Sequence, residues 1–437
     1  MRGNKVWGLL KVWGALLVLT GIVGCSNSGD GNKEEAAAQE VTLKFVWWGK
    51  EQRKEDTQKV VDLYMKEHPG VKIVTEDFSG TDALSSRLAM DTADQKAADI
   101  IQGDYGFIFN YINRDLIEPL GPYIKNKSLS ISDVPPEYLA PGMKNDELYA
   151  VNIGINSEAL IYDPAFLQEA GIKAPSQDYT IDELYKTLVE LKETIDDPDF
   201  YPMGNMFAVS YFLRTRGVSM YNAEGTALGY DDDKDLADYF TLYKKWTEEG
   251  LIGSFKGVSN DENHPVITGK TAFFSVSSNA STILSSKAGR TIKLLPLPKA
   301  GDKEGRFIKP SMFLAVSSYS KYPEEAAKFI DFFINNAAAN DILKGERGVP
   351  VSTVIAAQLS GKLGEGGKQQ YELLDYLKTH SSPIDPPAPS SALIADNAYK
   401  IILERVLDGS ITPEQAAKSY RAEATSILDT TDKGATK

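Results

Sequence analysis

Two adjacent indoles, Trp47 and Trp48, are where the chemistry of this 437-residue chain begins. They close the run Val41-Thr-Leu-Lys-Phe-Val-Trp-Trp48, in which Val41, Leu43, Phe45 and Trp47 alternate with Thr42, Lys44 and Val46, and Gly49 punctuates the end. Such alternation of β-favouring residues predicts a strand, and neighbouring side chains on a strand point to opposite faces. If one indole is core, the other must find a different environment. Trp47 keeps step with the core residues, so Trp48 is the better candidate for meeting a ligand. An indole face offers flat apolar surface for stacking, and its N–H one donor.

Catalytic and metal chemistry have little to draw on. The three histidines, His68, His264 and His380, lie far apart, and the lone Cys25 excludes intramolecular disulfides and cysteine-based zinc clusters. Asp231-Asp-Asp-Lys-Asp235 is acidic enough to suggest a calcium loop but lacks its glycine and distal glutamate, so capping of the following helix is expected instead. No metal and no other cofactor is expected.

The elements that must position the indoles read as an α/β layer. A helix over Lys54 to His68, a strand over Val71 to Val74, a helix over Ala83 to Ala98 and a strand over Asp99 to Gln102 follow the Trp-Trp strand at crossover spacing, which predicts a parallel sheet. Asp104 and Tyr105 then stand at the same carboxyl edge as Trp48, and in open α/β sheets that edge is where ligands bind. Glu147 to Gly154 and Ala159 to Tyr162 look extended, a crossing toward a second domain. Asp163-Pro164 and Thr180-Ile-Asp-Glu183 are helix starts. Trp246 shares a helical face with Tyr239, Leu242 and Tyr243 and reads as core. Strands are expected at Lys270 to Val276, Thr291 to Leu297 and Phe313 to Val316. Helices are expected at Pro323 to Asn335, Ala392 to Leu407 and Pro413 to Leu428, with a Pro/Ser-rich loop at Pro383 to Ser391.

The formal net charge of −14 argues against nucleic acid and anionic lipid as partners. Residues 1–24 combine a basic start with an apolar run too short to span a bilayer comfortably, which predicts a secretory signal. Gly21-Ile-Val-Gly-Cys25 resembles a bacterial lipobox, in which the cysteine becomes the lipid-bearing N-terminus, and 25–40 has the composition of a flexible tether.

Several segments in shared order resemble the bacterial extracellular solute-binding proteins of ABC transporters, in the carbohydrate-type group similar to maltose-binding protein. The carriers are the lipobox, Val46-Trp-Trp-Gly49, Ala98-Asp-Ile-Ile101 with Leu116-Ile-Glu-Pro-Leu120, Leu148-Tyr-Ala-Val151 with Leu160-Ile-Tyr-Asp163, Ile172 to Leu184, Ile267-Thr-Gly-Lys-Thr-Ala272 and Leu403 to Ala417. Asp163-Pro164 departs from the family's usual Asn-Lys, and Ser277-Ser-Asn279 lacks a tryptophan often found there.

The resemblance implies an α/β fold of the two-lobe, periplasmic-binding-protein type II kind, with a hinge and an interlobe cleft. It implies no catalysis, a carbohydrate ligand, an oligosaccharide above all, and ABC permease subunits as partners. A monomer held at the outer face of the cell membrane by a lipid on Cys25 alone is expected. The first lobe is assigned to 41–151 and 266–316, the second to 152–265 and 317–428, with a tail at 429–437. By position in the family pattern, Lys50, Glu51, Asp104 and Asn156 join Trp47 and Trp48 as ligand contacts, with Tyr105, Asn279 and Ser311 as further candidates. Two competing classes remain: a surface-anchored carbohydrate-active enzyme, for which the 61 acidic residues supply carboxylates but no segment shows a nucleophile motif, and a binder of peptides or another polar solute on the same fold.

Overall fold

The strand ending in the two indoles, Val41–Trp48, is the second of five in a sheet ordered Val71–Phe78, Val41–Trp48, Ile100–Gly103, Phe313–Val316, Ala150–Asn152. A computed structural model describes residues 40–49, 51–93, 98–389 and 391–432; the expected signal segment, Cys25, nearly all of the tether, and Lys50 lie outside them. The first three strands pair in parallel, and Phe313–Val316 runs antiparallel to Ile100–Gly103 and Ala150–Asn152. Alternation sorts the side chains as the pattern requires. Leu43, Phe45 and Trp47 enter one core with Tyr64, Phe329 and Phe333, while Val46 and Ile101 enter the other with Leu84, Ile108 and Tyr111.

A second sheet is ordered Lys293–Pro296, Glu158–Tyr162, Thr271–Ser277, Tyr201–Met203. Its main core gathers Leu184, Leu188, Phe207, Tyr239, Phe240 and Trp246, so Trp246 is a core residue as its helical spacing predicts. The helix Ile181–Thr194 starts with a complete capping box between Thr180 and Glu183. Asp232 caps the helix Asp233–Glu248 by accepting from the Lys234 N–H, the role expected for the acidic run.

The sheets correct the expected allocation of 266–316 and 317–428. Thr271–Ser277 and Lys293–Pro296 both pair antiparallel with Glu158–Tyr162, so they belong to the second sheet. The helix Pro323–Asn335 packs Phe329 against Phe45 and Tyr64, so it and the following Ala337–Leu343 cover the first. The chain therefore returns to the first lobe near 309–313 and leaves it again near 345–351. Local periodicity shows an apolar strand face but not which of two sheets it joins.

Three crossings link the lobes. Ile153 N–H donates to Met312 O, Ser311 N–H to Gly154 O, and Ile155 and Val349 exchange a pair of bonds of 2.8 and 3.0 Å. Lys309–Pro310 pairs antiparallel with Ile155–Asn156. A Cβ at residue 154 would lie 2.8 Å from Arg347 O, so the crossings approach this closely only with glycine there.

Candidate binding site at the interlobe edge

Trp48 ends its strand half-buried and touches both cores of the first lobe. Its carbonyl accepts from Gln102 Nε2 at 3.2 Å and from Arg53 Nη1 at 3.3 Å. The Arg53 guanidinium stands 4.9 Å from the centre of the indole, within cation–π range. This approach needs Gly49, since a Cβ there would lie 2.3 Å from Arg53 Cδ.

Arg53 also grips Glu346 with Nε at 3.0 Å from both carboxylate oxygens and Nη2 at 2.7 Å from one. Glu346 continues to Arg347 Nη1 at 3.4 Å, Arg347 Nε donates to Gln102 Oε1 at 3.1 Å, and Gln102 returns to Trp48 O. The five groups close a ring. Arg347 Nη2 adds a bond to Thr57 at 2.7 Å. Burial pushes the Glu346 carboxyl up, but the Arg347 and Arg53 charges outweigh it and hold the group below the usual carboxylate range. Burial pulls the Arg347 guanidinium below its ordinary value, with Glu346 opposing.

The other expected contacts divide. Trp47 is 1% exposed and packs 4.8 Å from Phe45, so it is core and not a ligand contact, a correction that strand alternation explains. Asn156 is buried and spent on the crossings, its Nδ2 donating to Arg347 O and its Oδ1 accepting from Ser278, so it too faces protein. Asn279 donates to Glu346 O at 2.8 Å, tying the second lobe to the third crossing. Ser311 lies on the second crossing, and its Oγ has no partner among the described residues; neither do the indole N–H groups. Asp104 and Tyr105 stand where the sequence places them, after the strand Ile100–Gly103 and half-buried. Glu51 opens the helix Glu51–Glu67.

Facing Tyr105 is a proline-rich strap from Ser382 to Pro389. The Tyr105 hydroxyl donates to Asp385 O at 3.2 Å, and burial, aided by the Asp385 charge, pushes the phenol up to about 12, keeping it a donor. The strap is held by Arg214, which donates to Asp385, to Ser382 O and Oγ, to Pro383 O and to Gly305 O. Ser219 adds a bond to Asp385 at 3.0 Å. Arg53, Gln102, Arg214, Glu346 and Arg347 were not singled out from the sequence. A signal existed only for Glu346-Arg347, a charged pair set between Gly345 and Gly348.

A cavity of about 690 Å³ lies elsewhere, between Thr282, Ser285, Arg290, Asp341, Lys362 and Gly366. It has no aromatic face to stack a sugar ring, so the Trp48 edge remains the candidate. Among the described residues no group of three or more His, Cys, Asp or Glu is placed to hold a metal ion, and no helix is long and apolar enough to cross a membrane.

The sequence profile of the bacterial extracellular solute-binding proteins matches residues 48–340, from Trp48 through both sheets. The chain belongs to that family. Among solved structures, an extracellular solute-binding protein family 1 member from Alicyclobacillus acidocaldarius is 28% identical, covering 89% of this chain and 98% of its own, with a TM-score of 0.71. A periplasmic oligogalacturonide-binding protein from Yersinia enterocolitica, in complex with saturated digalacturonic acid, is 22% identical with a TM-score of 0.75, covering 89% and 99%. The GacH receptor of Streptomyces glaucescens, studied with acarbose, is 18% identical with a TM-score of 0.73 over the same shares. The last two show the fold alone. The two-lobe α/β architecture is that of the solute-binding proteins, and this member is a solute-binding protein of the ABC transporter type.

Proposed function

We propose that this solute-binding protein captures a carbohydrate, an oligosaccharide above all, between its lobes and delivers it to an ABC permease as a monomeric lipoprotein anchored through Cys25 outside the cell. The observation that carries the ligand class is the half-buried Trp48 indole at the carboxyl edge of the first sheet, beside Asp104 and Tyr105 and in a family that works by binding. Sugars need a planar aromatic surface for their C–H face and polar groups for their hydroxyls. A stack contributes on the order of 1 kcal/mol beyond its buried area, and a good polar contact about as much. Similar folds that bind oligogalacturonide and acarbose support the reading. The protein binds without turnover, and closure about the crossings presents the loaded form to the permease.

A thermal-shift screen against neutral oligosaccharides, sugar acids and peptides tests the class, because a ligand bound only by the folded state raises the melting temperature. A shift with peptides and none with sugars sinks the carbohydrate reading, and hydrolysis of labelled oligosaccharide sinks the claim of binding alone. The anchor is tested separately: Cys25→Ala is expected to abolish incorporation of labelled palmitate and release the protein from the membrane.

A further inference from the structure

We propose that Arg53 is a positioning residue that fixes the Trp48 indole to the third interlobe crossing, so that the aromatic wall and the root of the hinge form one rigid piece. One guanidinium reaches three segments. Nε and Nη2 hold Glu346 on the third crossing; Nη1 donates to Trp48 O and to Met312 Sδ on the second; and its plane of charge stands against the indole. The side chain is only 10% exposed and that of Glu346 13%, so the pair is shielded from solvent in a way a surface ion pair is not.

The third crossing brackets the pair with two glycines. Glu346 and Arg347 sit between Gly345 and Gly348, whose φ angles are +69° and +111°. Both halves of the pair are bound to the first lobe, Glu346 through Arg53 and Arg347 through Gln102 and Thr57. The side chains of Glu346 and Arg347 thus stay with the wall, while Asn279 of the second lobe and Asn156 of the first crossing hold their main-chain carbonyls. A lysine at residue 53 could meet Glu346 but has no planar fork to hold the carboxylate and the Trp48 carbonyl together.

The weight of this for binding rests on the reading of Trp48 as a ligand contact; the mechanical claim stands apart and is tested without ligand. The full chain is labelled with 5-fluorotryptophan, and the Trp48 resonance is assigned with Trp48→Phe. Arg53→Met and Glu346→Gln are both expected to shift or broaden that resonance, the second by way of its bonds to Arg53, with Arg53→Lys in between. Leu188→Ala, a core change in the second lobe, serves as the control for lost stability and is expected to leave it in place. An unmoved Trp48 resonance in folded Arg53→Lys and Glu346→Gln overturns the proposal even if Arg53→Met fails to fold. A shift in Leu188→Ala as large as theirs also overturns it. Failure of the carbohydrate screen touches neither result.

Discussion

The two rims that face each other across the crossings each rely on a buried arginine, yet they are built by opposite means. On the first lobe the proposed wall is a strand end, Trp48, and the arginine bonded to it, Arg53, lies five residues away on the next helix. On the second, the wall is the strap Ser382–Pro389, which has no regular structure, and its brace, Arg214, lies 171 residues from Asp385. A strand end inherits its position from the sheet. An irregular strap has no ladder to fix it, and its carbonyls must be satisfied one by one, as Arg214 does for Ser382 and Pro383 while it also holds the Gly305 carbonyl.

That contrast can be broken most sharply at Arg214. Arg214→Met leaves the Asp385 carboxylate, 30% exposed, without its counter-charge and the Gly305, Ser382 and Pro383 carbonyls without this donor; at about 1 kcal/mol or more for each bond lost, urea unfolding should show a loss of about 3–5 kcal/mol in all, and a loss under about 1 kcal/mol would mean that the strap holds itself. The indoles give the next test. Trp47→Ala should cost about 3–5 kcal/mol of stability as a core truncation. Trp48→Ala should cost less stability but weaken binding of any sugar found in the screen by about tenfold, the equivalent of roughly 1.4 kcal/mol by titration calorimetry. If Trp48→Ala binds as the parent does, the first wall is not a wall.

Tyr105→Phe removes only the hydroxyl that joins the two rims. A single hydrogen bond of this kind contributes about 0.5–1.5 kcal/mol, so a widened distribution of distances between spin labels on the two lobes is expected, with little change in unfolding. The smallest effect concerns acid. Because the folded-state pKa of Glu346 lies below its unfolded value, its contribution to stability is present above the unfolded pKa and is lost as pH falls through the folded one. Urea midpoints measured from pH 6 downward should therefore fall less steeply in Glu346→Gln than in the parent; equal slopes would show that the carboxylate is not held as described.

The same contrast explains what was legible in the sequence. Strand alternation put Trp47 in step with the core, where it is 1% exposed, because burial on one face leaves a period of two in the chain itself. The helix Pro323–Asn335 was placed to the residue by its apolar stripe of Ala326, Phe329, Ile330 and Phe333. Allocation of strands to sheets was not legible, since Thr271–Ser277 carries an apolar face that would suit either lobe. Asn156 was expected at the ligand and is spent on Arg347 and Ser278, which are 191 and 122 residues away. The strap was visible only as a proline-rich loop, and nothing near it announced Arg214. Bonds between distant segments leave no period behind.

One detail of the ring of bonds bears on how such a site could change its taste. The ring closes through the main-chain carbonyl of Trp48, to which Gln102 and Arg53 both donate, and never through the indole nitrogen. Residue 48 is thus a fixed mount carrying an exchangeable tool. A tyrosine or phenylalanine there would leave every bond of the ring in place, so that, on the proposed reading of Trp48 as a ligand contact, selection can retune the guest without rebuilding the hinge.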